Sequence, residues 1–154
     1  MPVETILVLE TSLDDTQPQI VGYVLERALE LGALDAYAQP LQMKKQRPGV
    51  LVTLLARPEQ RAELVRLLLA ETSSLGVRVS ACEREVLERT SVTVTTAYGP
   101  IRVKRAALPA AGGGGASGKA APEYEDCRAA ALRHGVALRR VMAAALAALP
   151  AESD

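Results

Sequence analysis

The sequence predicts an α+β domain whose elements run β-α-β-β-α-β, and three observations predict it. Thr5 to Thr11 and Val50 to Ala56 are apolar runs of strand length. The stretches after Thr16 and after Arg57 instead place apolar residues at helical spacing, each helix pattern closing at a glycine. A strand-length segment from Asp35 to Met43 lies between the first helix and the second apolar run, and another begins at Val77. This order most economically gives an antiparallel four-stranded sheet with both helices on one face, the ferredoxin-like arrangement.

Each element has its own local reason. Ile6, Leu7, Val8 and Leu9 run without a polar break, as in a central strand covered by helices, and the strand ends in Ser12-Leu13-Asp14-Asp15. Thr16-Gln17-Pro18-Gln19 has the form of a capping box, with Thr16 as N-cap, Gln19 reaching back and Pro18 in the first turn. Ile20, Val24, Ala28 and Leu31 form the inner stripe of the helix that follows, and Gly32 is its expected stop. Arg57-Pro58-Glu59 opens the second helix, whose apolar face is Leu64, Val65, Leu68 and Leu69 and whose end is expected at Gly76.

Beyond this unit, Val86 to Thr96 and Ile101 to Ala106 alternate around Ala97-Tyr98-Gly99-Pro100 and predict an added β-hairpin, with Ile101 and Val103 inward. Arg102, Lys104 and Arg105 then form either a solvated edge or a second basic wall. Pro109 to Ala121 is Gly, Ala and Ser around one Lys and reads as a flexible linker. Pro122-Glu123-Tyr124-Glu125-Asp126 loads acid into a helix start, Gly135 breaks that helix, and Leu138 to Leu149 makes a second one. The expected divisions are therefore 1–108 for the ferredoxin-like domain with its hairpin, 109–121 for the linker and 122–150 for a C-terminal helical hairpin.

With 154 residues the chain allows one domain, or one with a small appendage. Eighteen basic residues balance eighteen acidic ones, which argues against a general nucleic-acid binder, because such a surface must displace many counterions. No run of about 18 apolar residues and no charged-then-apolar leader occurs, so a cytoplasmic chain without a membrane span is expected. Cys82 and Cys127 have no metal-ligand spacing and are expected to be small buried apolar residues, and His134 is the sole histidine.

Chemistry is most concentrated in Gln42-Met43-Lys44-Lys45-Gln46-Arg47-Pro48-Gly49, where three cations precede an obligatory change of chain direction. Pro48 removes a donor and pushes Arg47 out of the helical region, while Gly49 permits a positive φ and close backbone approach. Two compact lysine charges and one planar guanidinium fork suit a phosphate chain better than a single carboxylate. A solvated hairpin tip is the plainer alternative. Asp14 and Asp15 are adjacent carboxylates at the end of a buried strand, tolerated either beside a cation or beside the following helix start. If the two loops share one end of the sheet, they describe a metal-nucleotide site that lacks both the P-loop and the G-x-G-x-x-G pattern. Spacing alone does not decide that. Glu71-Thr72-Ser73-Ser74-Leu75-Gly76-Val77-Arg78 adds hydroxyls and a further arginine at what otherwise reads as an ordinary helix ending.

Several of these segments recur together in one family. They are Leu13-Asp14-Asp15, Leu31-Gly32-Ala33-Leu34-Asp35, Gln42-Met43-Lys44-Lys45 with Arg47-Pro48-Gly49, Glu71-Thr72 with Leu75-Gly76-Val77-Arg78, Tyr98-Gly99-Pro100 with Arg102-Val103-Lys104, and Ala121 to Cys127. In this order the chain, from about Glu10 to Leu149, resembles the C-terminal part of the LarC family, the nickel-insertion proteins (cyclometallases) of nickel-pincer nucleotide cofactor biosynthesis. The resemblance implies a CTP-dependent lyase-class enzyme that inserts nickel into a pyridinium bis-thiocarboxylate mononucleotide for lactate racemase and related enzymes. It further implies a module that binds CTP with Mn or Mg and oligomerises with its own kind. Carried over residue by residue, Asp14 and Asp15 are candidates for the divalent ion, and Lys44, Lys45, Arg47 and Arg78 for the triphosphate, with Pro48 and Gly49 shaping the loop. No catalytic residue is singled out.

The chain also departs from the family. Ser12 to Gln19 reads SLDDTQPQ where the family suggests N-x-D-D-M-x-P-E, so Gln19 replaces an expected carboxylate. Family members carry a longer N-terminal part with histidine-rich sequence suited to nickel, and this chain begins where that part would end. It is thus expected to be the nucleotide-binding portion of a nickel insertase, working with a separate N-terminal domain or subunit. A non-catalytic ferredoxin-like nucleotide sensor or assembly module is the alternative.

Overall fold

In the computed structural model, which describes residues 1–108 and 117–150, β1 (Val3–Leu13) leads into α1 (Pro18–Glu30), β2 (Asp35–Gln42), β3 (Pro48–Ala56), α2 (Arg61–Glu71) and β4 (Arg78–Glu85). The strands pair in the order β2-β3-β1-β4, all antiparallel, which is the ferredoxin-like topology expected from the sequence. Successive strand residues point to opposite faces, so Leu7, Leu9, Leu13, Val52, Leu54 and Ala56 line one face. That face packs against Val21, Val24 and Ala28 of α1 and Leu64, Leu67 and Leu68 of α2. Leu9, Leu54, Leu64 and Leu68 are fully buried, each contributing about 1.5–3 kcal/mol of transfer free energy.

Thr11 belongs to this same inward row and is the polar residue within it. Its hydroxyl is satisfied by Ser74 Oγ and by the Gly76 carbonyl at 3.3 Å. A buried hydroxyl without partners would be costly, so Thr11 fixes the chain that follows α2 against the sheet.

Two helix boundaries differ from expectation. Thr16 does not cap α1. Gln17 stands at the N-cap without a side-chain bond, and the Gln19 amide donates to Gln17 Oε1 at 3.0 Å. Thr16 instead bonds to Ser73 across the molecule, a tertiary use of a hydroxyl that local capping would otherwise claim. The segment after Arg57 begins as a 3₁₀ turn at Pro58–Gln60, and α2 ends with Thr72 as C-cap, several residues before Gly76. Thr72 Oγ1 donates to the Leu68 carbonyl at 2.6 Å and so satisfies an end-of-helix acceptor.

The chain divides into two compact units, Val3–Glu85 and a second unit made of Met1–Pro2 with the residues from Val86 onward. In the second unit β5 (Arg89–Thr96), β6 (Gly99–Leu108) and β7 (Ser117–Pro122) form an antiparallel sheet, followed by α3 (Tyr124–His134) and α4 (Leu138–Ala147). Ile101 and Val103 do point inward, where they join Val94, Cys127, Ala130, Val141 and Ala145 in a separate core. Gly135 takes φ +63 at the end of α3, the left-handed cap that suits glycine.

The expected division after residue 108 is therefore corrected. The β5–β6 hairpin shares its core with α3 and α4, not with the four-stranded sheet. Residues 117–121, expected as linker, pair with β6 from Leu108↔Ser117 to Lys104↔Ala121. The rest of that expected linker, 109–116, lies outside the described residues. Cys127 is buried as expected, and burial pushes its thiol pKa up. Cys82 is exposed, against expectation, because β4 is an edge strand and Cys82 pairs with Ile6 on the sheet face turned away from α1 and α2. Among the described residues no helix is long and apolar enough to cross a membrane.

Candidate functional site

Three connections meet at one end of the four-stranded sheet. Leu13, the last residue of β1, lies opposite Val50 near the start of β3, β2 ends opposite Pro48, and β4 starts with Arg78 opposite Glu10. The antiparallel order thus brings the Asp14-Asp15 bend, the 43–47 turn and the 72–77 connection together.

The cationic turn has a defined backbone. Met43 N donates to the Arg47 carbonyl at 2.8 Å, and Lys45 and Gln46 both take left-handed conformations, φ 58° and 57°. A non-glycine residue there costs about 1 kcal/mol or more, so the surrounding turn must hold these two in place. Arg47 is extended, at φ −80° and ψ 131°, as the following proline requires. Gly49 is not a positive-φ residue, contrary to the sequence reading. Its requirement is space. A Cβ at Gly49 would sit 2.4 Å from Met43 Sδ and 2.8 Å from the Leu13 carbonyl oxygen, so the missing side chain lets the turn close onto the end of β1.

The acidic side is organised by hydroxyls. Arg47 Nη1 donates to Asp14 Oδ2 at 3.3 Å. Ser73 Oγ donates to Asp15 Oδ1, which leaves the Thr16 hydroxyl to donate to Ser73 Oγ at 2.7 Å. Ser73 N donates in turn to Thr16 Oγ1 at 3.4 Å. Ser74 is tied to Thr11, so the whole 72–76 segment is anchored on the buried face of β1. Sequence reasoning treated this segment as a helix ending. The run Thr72-Ser73-Ser74, three hydroxyls after the last apolar helical residue, was the available signal.

The expected site residues have different surroundings. Asp14, Asp15 and Arg47 come together directly or through Ser73. The side chains of Lys44 and Lys45 are exposed and make no hydrogen bond or ion pair among the described residues. Arg78 Nη2 donates to Ser12 Oγ at 3.3 Å, and its Nε lies 3.7 Å from Glu10 Oε2, so part of its charge is offset within the sheet. Among the described residues the Gln19 side chain bonds only to that of Gln17.

Chemically, this is a pair of carboxylates, each with one oxygen engaged, beside a fixed guanidinium and two uncommitted ammonium groups. Among the described residues no group of three or more His, Cys, Asp or Glu gathers into a metal cage. The donor set therefore fits a hard divalent ion that takes one or two carboxylates from the protein and its other ligands from phosphate oxygens and water. It does not fit nickel held by imidazole or thiolate.

The family model described as nickel insertion protein matches residues 1–142. A putative nickel insertion protein of Myxococcus xanthus is 47% identical over 146 residues, covering 95% of this chain and 36% of that protein. The pyridinium-3,5-bisthiocarboxylic acid mononucleotide nickel insertion protein of Acetivibrio thermocellus is 43% identical over 138 residues, 90% of this chain and 32% of its own length. The chain thus spans about a third of the length of these curated relatives. Among solved structures, LarC2, the C-terminal domain of a cyclometallase involved in the synthesis of the NPN cofactor of lactate racemase, in apo form, superposes with a TM-score of 0.84 at 35% identity. That match covers 96% of this chain and 98% of the other.

Proposed function

Because the chain belongs to the nickel insertion protein family, we propose that its ferredoxin-like unit binds CTP with Mn or Mg, as the nucleotide-handling portion of an enzyme that inserts nickel into pyridinium-3,5-bisthiocarboxylic acid mononucleotide. The observation that supports this most is the Arg47–Asp14 contact, because it joins the cationic turn to the carboxylate bend in one site. Asp14 and Asp15 hold the divalent ion. Lys44, Lys45 and Arg47 take triphosphate oxygens, with Arg78 at the margin. Lys44, Lys45 and Arg47 offset the triphosphate charge, to which the bound ion would add its own, so that attack by the mononucleotide substrate on the α-phosphorus becomes feasible, with pyrophosphate leaving and a cytidylyl adduct of the substrate formed. Nickel is the inserted substrate, and its ligands come from the remainder of the enzyme, in a separate domain or subunit. Self-association of the chain belongs to the same proposal.

Asp14→Asn with Asp15→Asn tests the metal role, since asparagine keeps an acceptor for Arg47 and for Ser73 while removing both charges. Calorimetric titration of CTP with Mn should show affinity reduced by at least the tenfold to hundredfold that even outer-shell changes at metal sites cost, roughly. Unfolding in the absence of ligand should be little changed. Parental affinity in the double variant contradicts the assignment.

A further inference from the structure

The second unit holds a cleft of about 360 Å³ between the β5–β6 hairpin and α3, and none of its residues belongs to the site described above. Small-molecule sites span about 300–1,000 Å³, so this cleft suits a compact ligand. Its polar lining is Thr93, Arg102, Asp126 and Arg133, with Tyr98 at the turn.

The two arginines have opposite situations. Arg102 is held by Asp126 through three hydrogen bonds: its backbone N and Nε donate to Oδ2 at 3.0 and 2.9 Å, and Nη2 donates to Oδ1 at 2.8 Å. These bonds to Arg102 hold the Asp126 carboxyl down at about 2, so the pair stays ionised throughout the neutral range. Nη1 of Arg102 has no part in this clamp, and the guanidinium plane is fixed in advance. The Arg133 side chain, by contrast, makes no hydrogen bond or ion pair among the described residues. Its Nη1 lies 4.0 Å from where a Cβ on Gly99 would be, so it extends from α3 across to the hairpin turn. Gly99 has φ +100°, a conformation that glycine adopts without strain. Two guanidinium groups against one carboxylate leave the cleft with a net positive charge.

A flat surface stands beside that charge. The Tyr98 ring meets His134 edge-on, with centroids 5.6 Å apart and planes at 69°, a contact that fixes its orientation. Thr96 Oγ1 accepts from Tyr98 N at 3.0 Å and donates to the Gly99 carbonyl at 2.9 Å, which fixes the turn itself.

We propose that this cleft is a second binding site, for a small anion carried on a planar ring: a carboxylate or a phosphate held by Arg133 and Arg102, with the ring against Tyr98. The site does not depend on the reading of the Asp14–Arg47 site. The alternative role of Arg133 is to complement the C-terminal end of the α3 dipole, which contributes to stability but not to ligand binding.

The test uses the full chain labelled with ¹⁵N and three probes. Nicotinate carries a ring carboxylate, ribose 5-phosphate carries a phosphate without an aromatic ring, and nicotinate mononucleotide carries both. Saturable shifts of the Thr93, Tyr98, Gly99 and Arg133 amides are expected with nicotinate mononucleotide, and whichever simpler probe reproduces them identifies the recognised group. Arg133→Gln should lower that affinity about tenfold to a hundredfold, the worth of a charged hydrogen bond, with an unchanged melting temperature. Arg133→Lys keeps the charge at the helix end and loses the planar fork, so it should fold as the parent and still bind more weakly. Should Arg133→Gln not fold, the lysine variant carries the test. The absence of saturable shifts at these amides, or parental affinity in the arginine variants, overturns the proposal.

Discussion

Gly49→Val is expected to destabilise the protein by about 2–3 kcal/mol, the range for forcing extra carbon into a filled space. For a chain of 154 residues that corresponds to a melting temperature lower by roughly 4–12 °C. The reason is local. A Cβ at Gly49 meets Met43 Sδ at 2.4 Å and the Leu13 carbonyl at 2.8 Å. Met43 has rotatable bonds and can move aside, but the Leu13 carbonyl is fixed in the ladder between β1 and β3. Met43→Ala combined with Gly49→Val should therefore recover only part of the loss in thermal unfolding. Full recovery would mean that the contact with β1 is not what requires glycine.

Arg47→Ala is expected to lower CTP affinity by about 1–3 kcal/mol, the cost of leaving a charged hydrogen bond unmade. Its effect on stability should be small. The Arg47 side chain is 55% exposed and its contact with Asp14 spans 3.3 Å, and exposed ion pairs contribute about 0–1 kcal/mol. Affinity and stability thus separate, which a mere packing role could not produce. Lys44→Ala and Lys45→Ala should weaken CTP binding in the same range and reduce its salt sensitivity, because each removes a charge that meets phosphate. Arg47→Lys should not restore the parental affinity, since a lysine lacks the planar fork that the extended, proline-fixed backbone presents. Calorimetry at two salt concentrations measures all four variants.

Much of the fold was legible because the apolar pattern specified it. Ile6 to Leu9 read as a central strand and Val50 to Ala56 as an apolar strand, and they form the two central strands, while Ile101 and Val103 read as inward and are buried. β7 was not legible. Ser117–Pro122 has no β-branched or aromatic residue, so its extended conformation comes from the ladder with β6 and not from its own preference. Once β7 is paired, the hairpin and the C-terminal helices become one core, which is why the expected boundary at residue 108 failed.

At the site, residue types were legible and their partners were not. Lys44, Lys45 and Arg47 stood out by density, but only strand register brings Arg47 to Asp14. Thr16 fitted a local cap as well as a distant hydroxyl, and its use by Ser73 depends on the placement of the 72–76 segment by Thr11. Gly49 signalled a special backbone position for the wrong reason: a glycine required by a neighbouring carbonyl has the same sequence signature as one required by φ.

The most direct measurement is paramagnetic mapping of Mn–CTP on the ¹⁵N-labelled chain, because Mn broadens the amide signals nearest the bound ion. The expected result is broadening concentrated at Asp14 to Thr16, Lys44 to Arg47 and Ser73, and lost in the Asp14→Asn, Asp15→Asn double variant. Broadening centred elsewhere, with these signals unaffected, would contradict a metal-nucleotide site at this end of the sheet.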